Sequence, residues 1–507
     1  MERVLGDRER PLGAPPLTGS TLASACLIAT LPFGAGAAAC AGQDSTGADA
    51  RVTRVPSEAT EGIDPVELEA LVDSVFAGGM REERIPGTAF VLVQNGQVLL
   101  SRGFGLADVA SGRAVRPDRT IFPFASISKV FTATAVAQLA ERGLLDLDAD
   151  VNRSLASVRV PPTFPRPITA ADLLTHTSGL DELPGRRVED PSDVVPLRRF
   201  IADRLVRVHP PGEVTSYSSY GMALAGVLVE DVSGQPFEEY LRDHVWRPLG
   251  MNRTFIAVPD SLRADLATAY EPEGDTVVAV PHELYQTPPA SSIVGTAEDM
   301  ALFLIAHLQN GRFGDAMILS ENAAVDMHRQ HATMHPRVPG WALGLQVDDT
   351  NGRRILEHGG EIGGFSALMT LLPDEGVGFF VVHHLEGGNL RFAVRRAILD
   401  RYFPDRRRVT APTPNPSAAG RLARFAGTYR ANAFCHSCPD GGPNVQDFEL
   451  EANEDGTITL WDTRWVEVSP LYFASQDGRR HIGFAEDESG RITAVTAGAW
   501  RVLERIR

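Results

Sequence analysis

Ser126 and Lys129 are the residues of this 507-residue chain best placed for covalent chemistry. They stand three apart in Phe124-Ala125-Ser126-Ile127-Ser128-Lys129, followed by VFTATAVAQLAERGLL. That tail has helical spacing and ends at Gly143, a natural residue just past a helix end. Ser126 is therefore expected at or near a helix N-terminus, with Lys129 one turn further along the same face. A serine hydroxyl is a poor nucleophile until a neighbouring base takes its proton. Lysine can be that base only where burial or nearby cations keep it neutral part of the time. The helix N-terminus adds a field that favours a developing oxyanion. The chemistry implied is acyl transfer. Taken alone, S-x-x-K also fits an N-capping serine and a surface lysine, so the flanking residues must decide.

The flanks are informative. Gly103-Phe104-Gly105-Leu106-Ala107-Asp108 and Pro117-Asp118-Arg119-Thr120-Ile121-Phe122 precede Ser126. Leu145-Asp146-Leu147-Asp148 and Leu173-Leu174-Thr175-His176-Thr177-Ser178-Gly179-Leu180 follow it. Further on come Tyr217-Ser218-Ser219-Tyr220-Gly221, Pro248-Leu249-Gly250-Met251, Gly295-Thr296-Ala297-Glu298-Asp299-Met300 and His358-Gly359-Gly360. Over roughly residues 60–400 the chain resembles the serine β-lactamase-like family: class C β-lactamases, low-molecular-weight penicillin-binding proteins, and their esterase and D-aminopeptidase relatives. The resemblance implies that Ser126 forms the acyl-enzyme and Lys129 relays its proton. It puts Tyr217 at the tyrosine of the Y-x-N motif, taking a proton from Ser126 or passing one to the leaving group. It also implies an oxyanion hole from the N–H groups of Ser126 and Glu361, with Ser219, His358, Gly359 and Gly360 lining the substrate site.

Two positions depart from the family pattern. Ser219 stands where Asn is usual, and a short hydroxyl cannot both donate to a substrate carbonyl and accept from a lysine. His358 replaces the lysine of K-T-G, and a neutral imidazole attracts a substrate carboxylate far less than an ammonium does. Both changes point away from efficient β-lactam hydrolysis and toward esters or D-amino-acid and peptide amides. The alternative is a catalytically weak protein that holds peptidoglycan-like or peptide ligands in the same groove. Nothing in the motifs calls for a cofactor or a metal. Cys435-His436-Ser437-Cys438 lacks a second ligand pair unless His481 or others fold in, and a local disulfide is the preferred reading. His176 reads as positional, and His383-His384 as structural or surface residues.

Positioning these residues requires a scaffold read from hydrophobic periodicity. Asp64-Pro65 opens a helix with apolar residues at Leu68, Leu71, Val72, Val75 and Phe76. Ala89–Ser101 reads as a hairpin turning at Asn95-Gly96. A mainly helical stretch runs to about residue 330. Strands follow over 341–347, 355–358, 364–372 and 377–384, then a helix closing near Phe403. The expected fold is α+β: an antiparallel sheet flanked by helices, assembled from the chain's two ends, with a mostly helical second lobe. Residues 405–420 read as a linker, and 421–507 as a small, mostly antiparallel all-β domain, which leaves 63–404 as the hydrolase domain. The formal net charge of −17, with no basic stripe to offset it, argues against nucleic acid as a partner. Residues 1–41 read as an export signal, with lipidation at Cys40 as one processing route and membrane attachment as its consequence, and 42–62 as a tether. The expected setting is extracytoplasmic and the expected partner a small-molecule or peptide substrate; the sequence does not fix an oligomeric state.

Overall fold

A computed structural model describes residues 62–442 and 445–506. The stretch read as an export signal, with Cys40, and the tether up to residue 61 lie outside the described residues. Among those described, no helix is long and apolar enough to cross a membrane.

The five longest helices are α1 (Pro65–Glu83), α2 (Ser128–Glu141), α3 (Ser219–Ser233), α4 (Ala297–Leu308) and α5 (Leu390–Tyr402). α1 starts where Pro65 has no N–H to satisfy and the Asp64 carboxylate accepts from the N–H groups of Val66 and Glu67 at 2.8 and 3.1 Å. The sheet of the larger unit contains β1 (Gly87–Gln94), β2 (Gln97–Asp108), β3 (Arg113–Ala114), β4 (Gln346–Thr350), β5 (Arg353–Ile362), β6 (Phe365–Leu372) and β7 (Val377–His384). Its order is β4-β5-β6-β7-β1-β2-β3, and every pairing is antiparallel. The β1–β2 turn puts Asn95 at φ 50° and Gly96 at φ 79°, the two positive values a type I′ turn requires. β1 lies in the interior of the sheet, with β7 on one side and β2 on the other, so the N- and C-terminal parts of the unit are stitched together there.

β1 is buried at all eight positions because it is covered on both faces. Phe90 and Leu92 face α1 and α5 with Leu68, Phe76, Phe379, Val381, Val394 and Ile398. Ala89, Val91 and Val93 face the larger core built on α2, α3 and α4, where Phe131 stacks on Phe303 at 4.0 Å. His383 and His384, at the end of β7, are wholly buried rather than exposed.

Beyond this unit lies a closed eight-stranded antiparallel barrel: β8 (Gly427–Ala431), β9 (Asp447–Ala452), β10 (Thr457–Leu460), β11 (Thr463–Ser469), β12 (Tyr472–Ser475), β13 (His481–Glu486), β14 (Ile492–Thr496) and β15 (Val502–Arg505). β15 pairs back onto β8, so no edge is left unpaired. The stretch 405–420 does not hang free between the units. It runs along the barrel so closely that a side chain on Gly456 would strike the Asn415 carbonyl at 1.8 Å.

The barrel is docked on the larger unit. Met334, Trp341 and Tyr217 pack against Ala494, Ala499 and Val502. The Trp341 indole donates to the Ala499 carbonyl at 3.1 Å, and the Ser216 hydroxyl to the Asn432 carbonyl at 3.0 Å. His481 stacks on Tyr472 at 5.2 Å, away from the Cys435/Cys438 loop, so it supplies no ligand there.

Candidate active site

Ser126 occupies a single 3-10 turn, Ala125–Ile127, that feeds directly into α2. The residue before it, Ala125, has φ 49°, a left-handed conformation that costs energy for a residue with a Cβ and is held by its surroundings. Those surroundings are explicit. The Phe124 N–H donates to the Ile293 carbonyl at 2.9 Å, and the Ser128 hydroxyl donates to the Ala125 carbonyl at 2.6 Å while accepting from the Ile293 N–H at 2.9 Å. β5 lies against the same turn. A Cβ on Gly360 would meet the Phe124 carbonyl oxygen at 2.3 Å, so only glycine allows this approach. Strand β5 is in turn fixed by Arg391, whose guanidinium donates to the Gly360 carbonyl at 3.0 Å and pairs with the Glu361 carboxylate. These contacts bring the His358-Gly359-Gly360-Glu361 segment alongside Ser126.

Lys129 is fully buried, with 0% exposure. Its Nζ lies 3.0 Å from Ser126 Oγ and donates to the Ala290 carbonyl at 2.8 Å. That carbonyl is within reach because Gly226 of α3 has no side chain: a Cβ there would meet Pro289 at 2.2 Å. Burial holds the Lys129 pKa well below its ordinary value, Arg186 adds to this, and Glu182 opposes it. A neutral amine beside a serine hydroxyl can accept its proton.

Tyr217 lies over Lys129, with Nζ 4.7 Å from its ring centroid. Burial pushes its phenol well above the ordinary range, against the influence of Ser126, which its hydroxyl faces. That hydroxyl makes no hydrogen bond at ordinary distance among the described residues. The raised pKa favours the protonated phenol, the form that can pass a proton to a leaving group. His176, which adopts φ 57°, braces this loop. Its ring packs on Tyr217 at 4.4 Å, its Nδ1 accepts from the Ser218 N–H at 3.2 Å, and its carbonyl accepts from the Ser216 N–H at 2.8 Å.

His358 is also fully buried, with ring centroids 6.3 Å from Tyr217. Burial, with Lys129 adding to it, pushes its pKa down to about 3, against a hydrogen bond between Nδ1 and the Gly359 carbonyl at 2.7 Å. It remains neutral through mildly acidic pH and does not stand in for a lysine there. Ser219 is the first residue of α3, where its N–H donates to Glu182 Oε2 at 2.7 Å.

Three participants were not singled out by sequence. Glu182 and Arg186, four residues apart in a loop, form a bridge of 3.1 Å and set the field around Lys129. Two charges four residues apart, just after the THTSGL motif, were the available signal. Trp500 comes from the barrel, 43% exposed, and packs on Tyr217 at 4.2 Å and His358 at 6.0 Å. A lone tryptophan between two strands gave no signal at all.

The family model described as Beta-lactamase matches residues 72–402. The chain belongs to the beta-lactamase family. Penicillin-binding protein 4 of Amycolatopsis lactamdurans is 31% identical over 313 residues, which are 58% of this chain and 80% of that protein. Protein flp of Staphylococcus aureus (strain MW2) is 26% identical over 323 residues, and the match spans 62% of each protein, just under two thirds of its length. Among solved structures, the octameric penicillin-binding protein homologue from Pyrococcus abyssi superposes with TM-score 0.58 at 22% identity, over 87% of this chain and all of that one. A class C beta lactamase from Rhodobacter sphaeroides gives 0.53 at 24% identity, over 65% of this chain and 99% of that one. These structural likenesses concern the fold.

Proposed function

We propose that this chain hydrolyses esters or D-amino-acid and peptide amides through an acyl-enzyme on Ser126, with little β-lactamase activity. The observation that carries the hydrolase reading is the buried Lys129, held below its usual pKa, 3.0 Å from Ser126 Oγ. Lys129 takes the hydroxyl proton as Oγ attacks the substrate carbonyl. The N–H groups of Ser126 and Glu361 hold the oxyanion. Tyr217, a protonated donor, passes a proton to the leaving group and is recharged through Lys129. Water then attacks the acyl-enzyme by the same route.

The substrate class rests on what surrounds the nucleophile. A carboxylate beside an amide carbonyl, as in β-lactams and D-Ala-D-Ala ends, would meet neutral His358 instead of an ammonium and Ser219 instead of an amide. One missing charge-assisted hydrogen bond costs about 1.5–3 kcal/mol, or roughly one to two decades in rate. Simple esters need neither contact. The wild type should therefore show a higher kcat/KM for a p-nitrophenyl ester than for nitrocefin, and Ser219→Asn with His358→Lys should shift the ratio toward nitrocefin. A fluorophosphonate adduct on Ser126, and loss of about 10⁴-fold in ester hydrolysis in Ser126→Ala, test the nucleophile. Absence of the adduct, under conditions that label a relative, would instead favour a groove that binds without turning over.

A further inference from the structure

The Cys435/Cys438 pair is closed as a disulfide and offers no thiolate, but the histidine between the two cysteines is turned inward. His436 meets His209, on the approach to Tyr217, and Glu504, on β15. His209 Nε2 and His436 Nε2 are 3.1 Å apart, His209 Nε2 and Glu504 Oε1 are 3.1 Å apart, and His436 Nε2 and Glu504 Oε1 are 3.5 Å apart. Among the described residues this is the one cluster of three such ligand atoms. We propose that His209, His436 and Glu504 bind one divalent cation of the zinc class, which fastens the barrel to the loop that carries Tyr217.

The spacing is that of a coordination sphere. Ligands about 2.0–2.1 Å from a tetrahedral zinc stand about 3.3 Å from one another. The three observed separations bracket that edge. Two imidazoles and one carboxylate form a donor set suited to zinc, with the fourth position left to water. The outer contacts orient the ring as a metal site requires. His436 Nδ1 faces the Phe434 carbonyl at 3.1 Å and Asp181 Oδ1 at 3.5 Å, so the proton belongs on Nδ1 and the lone pair of Nε2 points into the cluster. The ring is held flat on Phe434 at 4.0 Å. Glu504 Oε1 is buried and receives no properly directed hydrogen bond, which leaves a carboxylate lone pair aimed at two facing ring nitrogens. Asp181 also receives the N–H groups of His436 and Ser437 at 2.8 and 3.0 Å, and its neighbour Glu182 receives the Ser219 N–H at 2.7 Å. The cluster is thereby wired to the loops around Ser126 without touching it.

The test uses the full chain, freed of metal by dialysis against a chelator and titrated with Co(II) and then Zn(II). One equivalent of Co(II) should bind with the visible bands of four-coordinate cobalt, and Zn(II) should displace it and raise Tm by mass action. His209→Ala and Glu504→Gln should each weaken binding by more than the roughly 10–100-fold that the loss of an outer partner costs. If either variant fails to fold, zinc should still protect His209 and His436 of the wild type from diethyl pyrocarbonate, read by peptide mass spectrometry. No stoichiometric binding, binding indifferent to both variants, or unchanged modification of the two histidines would overturn the site; the three residues would then form a proton-sharing cluster only.

Discussion

Lys129 shows how a catalytic group is made at the expense of the fold. Burial lowers its pKa, so between that lowered value and the ordinary one the unfolded chain binds a proton the folded chain does not. Stability contributed by this position therefore rises with pH up to the ordinary lysine value of 10.5 and is reduced below it. Lys129→Met should abolish ester hydrolysis while raising Tm at pH 7, and the gain should shrink as pH approaches 10. A variant with lower Tm at both pH values would mean that the bond to Ala290 outweighs the desolvation. His358 supplies a second check. With its pKa down to about 3, the ratio of ester to nitrocefin hydrolysis should stay flat between pH 7.5 and 5. A rise in relative nitrocefin turnover over that range would show an imidazole that does titrate. Ser126 and Lys129 were legible in sequence because their spacing is local and their chemistry is strict. The raised pKa of Tyr217 was not, since its burial involves Trp341 and Trp500, more than a hundred positions away.

Elements position the site through close approaches that only particular residues permit. Gly359 and Gly360 are adjacent in sequence yet differ in role. A Cβ on Gly360 would strike the Phe124 carbonyl at 2.3 Å, whereas one on Gly359 would find its nearest neighbour at 4.0 Å. Gly360→Ala should lower stability by about 1–3 kcal/mol and cut kcat by displacing the Ser126 turn, while Gly359→Ala should leave Tm nearly unchanged. Equal Tm values for the two would contradict this account. The hairpin at Asn95-Gly96, α1 and α2 were readable because turn chemistry, caps and periodicity are written locally. Strand positions were readable only in part: β5 runs from Arg353 to Ile362 rather than ending at His358, because pairing with β6 extends it through the glycines. In the barrel, strands over 448–452, 457–462, 465–468, 481–484 and 492–496 are readable from their own runs, whereas β8, β12 and β15 are defined by barrel closure.

At the scale of the whole molecule, the barrel is part of the active-site wall. A chain ending near Arg408, which the linker-like 405–420 stretch invites, would strip Tyr217, Trp341 and Met334 of their cover and remove Trp500. Such a truncation should aggregate or lose most of its ester hydrolysis. Trp500→Ala, which removes only the ring contact worth about 0.5–1.5 kcal/mol, should lower kcat/KM roughly 3- to 10-fold with little change in Tm. Undiminished activity in the truncated chain would show that the barrel is a passenger. The interior also sets a limit in acid. His328 and His384 are pushed down to about 4 and His383 to about 3, chiefly by burial. The unfolded chain takes up these protons near pH 6.5, so stability should fall as pH drops from 6.5 toward 4, seen as a declining Tm. Finally, β1 has a bearing on synthesis. Thr88 bonds to the Val382 carbonyl 294 residues later, so the sheet's interior strand emerges from the ribosome long before one of its two partners exists. Until then a strand edge that is buried along its whole length in the folded chain is open, and the chain must be held unfolded or shielded. Nascent chains arrested before residue 377 should therefore remain protease-sensitive throughout, and protection should arrive in one step once β7 is available.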